Sequence, residues 1–271
     1  MLLGSQELLL QGFQHKGAQE AREGIPLSVP PCDEEGAERV LLSLLTFCHI
    51  ILHSVWSIGA TPGERYKRIA NGCLSNEAGY QVFVTNSQQS SRCGGSLISS
   101  KWVLTAKHCN KADLTVYLGI RDLTKLNKLH ARTGDAHPHP EHDIMLIKLH
   151  KEAPRMAPTV SLPNNCKDKR PPKDIEKEQL LVAGWGLDEK GTKPDILRCV
   201  RIERTASCPV EETFCAGTEH TGTSPGDSGG GLVFEKKNMV YGVTRSGCQI
   251  GCTSFMNVCY FLQWIKEEMK K

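Results

Sequence analysis

The chain has 271 residues, 39% of them hydrophobic and 23% charged, which is enough apolar material for one or two compact domains and excludes a disordered tail. Its formal charge of +3 comes from 33 basic and 30 acidic side chains spread along the chain, so no nucleic-acid partner is expected. Twelve cysteines with no CxxC pair among them point to disulfides in an oxidising compartment and not to metal-bound thiolates.

Residues 1–39 form an upstream extension that carries the acidic cluster Asp33, Glu34, Glu35 and Glu38. The longest apolar stretch follows, from Val40 to Trp56, and falls short of the roughly 20 residues a membrane-crossing helix needs. Arg39 as a positive flank and the small residues Ser57, Gly59 and Ala60 after it make residues 40–60 read as a secretory signal core with a cleavage zone. A membrane anchor with a short cytosolic tail, of type II orientation, is the alternative. From Ile69 onward basic side chains modestly exceed acidic ones, the pattern of an ordinary solvated surface.

Between Ile69 and Lys271 short apolar runs recur between Gly, Pro, Asn and Ser: Tyr80–Val84, Trp102–Leu104, Ile144–Ile147, Leu180–Trp185, Gly231–Phe234 and Met239–Val243. These predict strands. Helical spacing is clear only at the end, where Val258, Phe261, Leu262, Ile265 and Met269 make an i, i+3, i+4, i+7, i+11 stripe. The Pro-rich, charge-mixed stretch Asn164–Glu178 reads as a link between two halves, giving two packed β subdomains with one C-terminal helix.

Chemistry concentrates in three places. Gly226-Asp227-Ser228-Gly229-Gly230 sets a serine among glycines that let backbone N–H groups approach a ligand, as an oxyanion-binding turn requires. A serine needs a base, and a histidine base needs a carboxylate to fix its tautomer and stabilise its charged form. Thr105-Ala106-Lys107-His108-Cys109 and His142-Asp143-Ile144-Met145-Leu146 supply these. Any one of these motifs alone is commonly just a turn or a surface side chain; the three together in the order His, Asp, Ser are not.

With these motifs the chain resembles the trypsin-like, chymotrypsin-fold serine proteases over residues 69–271. The resemblance is supported by Arg92-Cys93-Gly94-Gly95-Ser96-Leu97-Ile98, Trp102-Val103-Leu104-Thr105, Ala183-Gly184-Trp185-Gly186 and Phe214-Cys215-Ala216-Gly217. That family is the standard worked case of the triad. The resemblance implies an all-β fold of two packed antiparallel β-barrels with a C-terminal α-helix, and a cleft between the barrels. His108 and Asp143 would stand on the first barrel and Ser228 on the second. Ser228 would be the nucleophile, His108 the general base and Asp143 its orienter, with the N–H groups of Gly226 and Ser228 as the oxyanion hole. Residues 61–68 would be an activation peptide, cut after Arg68 so that the Ile69 amino group pairs with Asp227. Ala70-Asn71 departs from the Val and Gly usual there.

The resemblance also implies the bridges Cys73–Cys199, Cys93–Cys109, Cys166–Cys259 and Cys208–Cys215. Leu180 and Phe234 stand at both ends of one missing family bridge. Ser224 stands at one end of another, whose other end matches Cys248, and a local Cys248–Cys252 bridge is expected instead.

The specificity pocket departs further. Gly222 lies where trypsin has the carboxylate that selects Arg or Lys, and a neutral floor does not pair a buried cation. Thr253 falls on a wall position that is often glycine and shortens the pocket, so small or medium apolar side chains are expected to fit. Arg245 and Ser246, before Gly247, replace the usual Ser-Trp-Gly; an Arg245 folded over the entrance would pair with an acidic substrate side chain. His137, His139 and His142 have the ligand type for zinc, but two intervening prolines argue against a site, so no metal and no cofactor are expected.

The reading is a secreted, zymogen-activated serine endopeptidase, monomeric, with protein or peptide substrates, an activating protease and protein inhibitors as partners. The alternative is a weakly active or inactive homologue that serves as a binding module.

Overall fold

The short apolar runs fold as strands, because β-branched and aromatic residues pack well on a pleated surface. The computed structural model describes residues 67–68, 71–73, 77–128, 131–188, 190–205, 211–218, 221–247 and 252–271. It opens with two short strands, β1 (Lys67–Arg68) and β2 (Asn71–Gly72). The first barrel follows: β3 (Gln81–Asn86), β4 (Cys93–Leu97), β5 (Trp102–Thr105), β6 (Leu114–Tyr117), β7 (Arg132–Pro138) and β8 (Met145–Leu149). It closes in the order β3-β4-β5-β8-β7-β6. Closure leaves no open edge, and Val82, Val84, Leu97, Val103, Val116 and Ile147 share one buried face of its strands.

The second half contains β9 (Leu180–Gly184), β10 (Arg198–Ile202), β11 (Arg204–Thr205), β12 (Thr213–Ala216), β13 (Thr221–Gly222), β14 (Gly231–Phe234), β15 (Met239–Gly247) and β16 (Thr253–Asn257). Seven of these strands join β2 in one sheet, ordered β11-β12-β16-β15-β14-β9-β10-β2, curled into a half-barrel. The remaining one, β13, pairs with β1 in parallel, Lys67 opposite Thr221 and Arg68 opposite Gly222. Tyr241, Phe214, Phe255, Val182 and Leu232 pack inside the second half. The edge of the Phe83 ring meets Trp185 across the two halves at a centroid distance of 5.5 Å.

The one α-helix named here, α1 (Val258–Glu268), starts where Asn257 Oδ1 accepts the Cys259 N–H at 3.1 Å. Val258, Cys259, Phe261 and Ile265 are buried, while Leu262 and Met269 at the margin of the stripe are only half covered. Among the described residues no helix is long and apolar enough to cross a membrane; Val40–Trp56 lies outside them.

The stretch from Asn164 to Glu178 is held against the second half. Ile175 is fully buried there, and Cys166 is bridged to Cys259 at the start of α1. The bridges Cys73–Cys199 and Cys93–Cys109 are also formed. Cys215 is disulfide-bonded, while Cys208, its expected partner, lies outside the described residues.

One expected bridge, Cys248–Cys252, is corrected: Cys252 carries a free, half-buried thiol. Strand β16 begins at the next residue, and Thr253 is paired with Ala216 on one side and Gly247 on the other. The sheet, not closure of a small local loop, therefore fixes where Cys252 sits. Cys248 itself lies outside the described residues.

Candidate active site

His108 sits in the 3-10 turn Lys107–Cys109 that ends β5, and the Cys93–Cys109 bridge ties this turn back to the first residue of β4. Asp143 ends the turn between β7 and β8, where Lys107 Nζ donates to Pro140 O at 2.9 Å and His139 N–H donates to Ile144 O at 2.9 Å. The two turns meet. The backbone N–H of His108 donates to Asp143 Oδ1 at 2.9 Å, and His108 Nδ1 lies 2.8 Å from Asp143 Oδ2. With both carboxylate oxygens on one residue, the ring is held with Nδ1 as the donor and Nε2 free to accept a proton.

Ser228 stands on the turn that enters β14. The Gly94 N–H donates to Ser228 O at 2.7 Å, clamping this turn to the first barrel, and Cys109 Sγ lies 3.7 Å from the same oxygen. Gly229, at φ +80°, has no room for a side chain because a Cβ would run into Gly94 O and Thr105 Oγ1. The clamp brings the serine turn to the histidine turn. No hydrogen bond joins Ser228 Oγ to His108, a contact that is often loose before substrate arrives.

Gly226 adopts φ +104°, which a residue with a side chain rarely takes. The turn is locked by Asp227 N–H to Ser224 O at 3.0 Å and Gly230 N–H to Asp227 O at 3.0 Å. Neither the Gly226 nor the Ser228 N–H has an acceptor among the described residues, leaving two backbone donors for an incoming oxyanion. Asp227 is fully buried beneath them. Its Oδ1 accepts Gly186 N–H at 2.7 Å and its Oδ2 accepts Ser224 N–H at 2.9 Å, with Ser224 Oγ at 3.1 Å. Ser224 Oγ also lies 2.7 Å from Leu187 O. Sequence reasoning noted Ser224 only as a lost cysteine; its hydroxyl contact with Asp227 needed the fold.

The residues expected at the specificity pocket gather with one exception. Gly222 lies beside Thr253, so that a Cβ on it would stand 2.8 Å from Thr253 Oγ1. Ser246 and Gly247 pair with Ser254 and Thr253. Thr253 is buried, and its Oγ1 accepts the Thr223 N–H at 2.9 Å. Arg245 is the exception: its guanidinium reaches the triad, with Nε 3.9 Å from Asp143 Oδ2. Arg68 is paired beside Gly222, while Ile69 lies outside the described residues.

Of the three histidines of the short linker, His139 and His142 lie together with ring centroids 4.8 Å apart, while His137 turns to the end of α1. His137 Nδ1 lies 2.7 Å from Glu268 Oε1, and His139 Nδ1 accepts the N–H groups of Glu141 and His142 at 3.2 and 3.1 Å. The His139 ring packs on Phe261 and Trp264. Burial, then the neighbouring His142, holds its pKa below the usual histidine value.

The family profile described as Trypsin matches residues 71–265. The chain is 32% identical over 250 residues to the anionic trypsin of Canis lupus familiaris, an alignment covering 80% of this chain and 96% of that protein. It is 33% identical over 228 residues to trypsin-3 of Salmo salar, covering 73% and 90%. It is 32% identical over 220 residues to kallikrein-15 of Homo sapiens, covering 66% and 82%. Together with the closed six-stranded barrel, the curled half-barrel sheet and the C-terminal helix, these matches show that the chain belongs to the trypsin family of serine proteases.

Proposed function

We propose that this chain is a secreted serine endopeptidase that hydrolyses peptide bonds through an acyl-enzyme, with Ser228 as nucleophile, His108 as general base and Asp143 as orienter. The observation that carries the reading is the double hold of Asp143 on His108, through the backbone N–H and Nδ1. Gly226 and Ser228 donate to the oxyanion, each such donor contributing roughly 3 kcal/mol to lowering the barrier. Substrates are proteins or peptides with a small or medium apolar side chain before the cleaved bond. The support for that preference is Thr253 at the expected pocket wall, beside Gly222, together with the absence of a carboxylate at Gly222.

Cleavage after Arg68 by an activating protease is the proposed switch, with the Ile69 amino group pairing with Asp227. Because β1 holds Arg68 beside Gly222, this strand must leave β13 before a protease can bind the bond in an extended form. Arg68→Gln blocks the switch. Ester hydrolysis that is equal before and after trypsin treatment removes this part of the reading.

The deciding measurement is labelling of Ser228 by a fluorophosphonate after cleavage at Arg68. Ser228→Ala abolishes labelling, Ser228→Ala and His108→Ala each remove most of kcat, and the double variant loses little more. A second reading, a homologue that binds without cutting, is favoured by Arg245, whose guanidinium lies beside Asp143 where the family usually has a serine, and predicts no labelling and no cleavage across Ala, Val, Phe, Asp and Arg peptides.

A further inference from the structure

Arg245 lies where β15 loses register against β16: Thr244 faces Phe255 and Ser246 faces Ser254, with Arg245 as the extra residue between them. A bulge of this kind re-aims the side chain it carries, and here it aims a guanidinium at Asp143. Nε stands 3.9 Å from Oδ2, the oxygen that also holds His108 Nδ1 at 2.8 Å. Both members of the ion pair are shielded, with side-chain exposures of 24% for Arg245 and 21% for Asp143.

We propose that Arg245 is a positioning residue that restrains the triad, setting a low intrinsic rate for the serine attack; this rests on the protease reading above. The argument is one of charge. With His108 and Asp143 alone, proton uptake by the imidazole takes the pair from −1 to 0. With Arg245 on the same carboxylate it takes the trio from 0 to +1. The imidazolium that forms as Ser228 attacks is then opposed by a neighbouring cation, and part of the Asp143 charge that stabilises it is already engaged. A cation on the far side of the shared carboxylate, in partly solvated surroundings, changes a rate on the order of tenfold to a hundredfold. The effect falls on the chemical step, since the group that Arg245 meets is Asp143, which acts on the proton transfer.

The test compares the native chain with Arg245→Gln, which removes the charge, and Arg245→Lys, which keeps it, each with and without cleavage at Arg68. The rate of fluorophosphonate labelling and the kcat and KM of an ester substrate are measured, with Ser228→Ala as the blank. Arg245→Gln should label and turn over on the order of tenfold or more faster with KM little changed, and Arg245→Lys should stay near native. Arg245→Met, of similar length and also uncharged, serves the same comparison where the Gln form is unstable. Equal or slower labelling of the uncharged variants, or a gain confined to KM, overturns the restraint while leaving the protease reading intact. Folded native and variant chains that never label overturn the protease reading, and the restraint falls with it.

Discussion

Thr253 Oγ1 accepts the backbone N–H of Thr223 at 2.9 Å and lies 3.2 Å from Thr223 Oγ1, forming a strut beside Gly222. The same oxygen stands 2.8 Å from where a Cβ on Gly222 would be. Adding a carboxylate at Gly222 therefore requires the strut to move. Gly222→Asp alone should cleave after Arg poorly, whereas Gly222→Asp with Thr253→Gly should do so on the order of tenfold better, because only the double variant has both the charge and the depth. Comparison of kcat/KM on matched Arg and Ala peptides decides it. Equal gains in the single and double variants would show that Thr253 does not limit the pocket.

Ser224 supports the oxyanion turn from below through Asp227. Its one hydroxyl hydrogen serves either Leu187 O or the carboxylate, and both acceptors are in a buried site. Ser224→Ala should lower stability by about 1 to 3 kcal/mol in a urea titration and reduce kcat more than it raises KM. A loss seen only in KM would argue that the turn does not depend on this hydroxyl.

Cys252 is a free thiol whose pKa burial pushes up. It should be alkylated slowly by iodoacetamide in the native protein near neutral pH, and readily without any reductant once the chain is unfolded. Peptide mapping under non-reducing conditions reads both. Recovery of Cys252 linked to Cys248 would restore the local bridge that the structure lacks.

Glu268 anchors the end of α1. Hydrogen bonds from Lys271 and then His137 hold its carboxyl below the usual glutamate range. A depressed folded value means that the anchor contributes above the unfolded pKa, about 4.3, and is lost as pH falls through the folded one. The Tm difference between the native chain and Glu268→Gln should thus shrink from about pH 6 to about pH 3. A constant difference would mean that the carboxylate charge plays no part.

The local chemistry of this chain was legible in the sequence because it is written in contiguous residues. The glycines around Ser228, the apolar runs that became β3, β5, β8, β9, β14 and β15, and the stripe of α1 each depend on neighbours a few positions away. Polar β7, Arg132–Pro138, gave no such signal, since a strand half exposed to solvent needs no apolar run; its identity comes from its partners β6 and β8. Tertiary structure alone decided which carboxylate each donor meets. The sequence places Arg245 in the segment expected to line the pocket, but its contact with Asp143 follows from a bulge that shifts the side chain relative to the strand's alternation. The loss of a family cysteine at Ser224 and the closeness of Cys252 to Cys248 predict a local bridge, but Cys252 is a free thiol, and the strand that begins at the next residue, paired on both sides, takes its geometry from the sheet. Sequence spacing limits how far two groups can be apart, whereas direction is set by the backbone path, and a hydrogen bond or an ion pair depends on both.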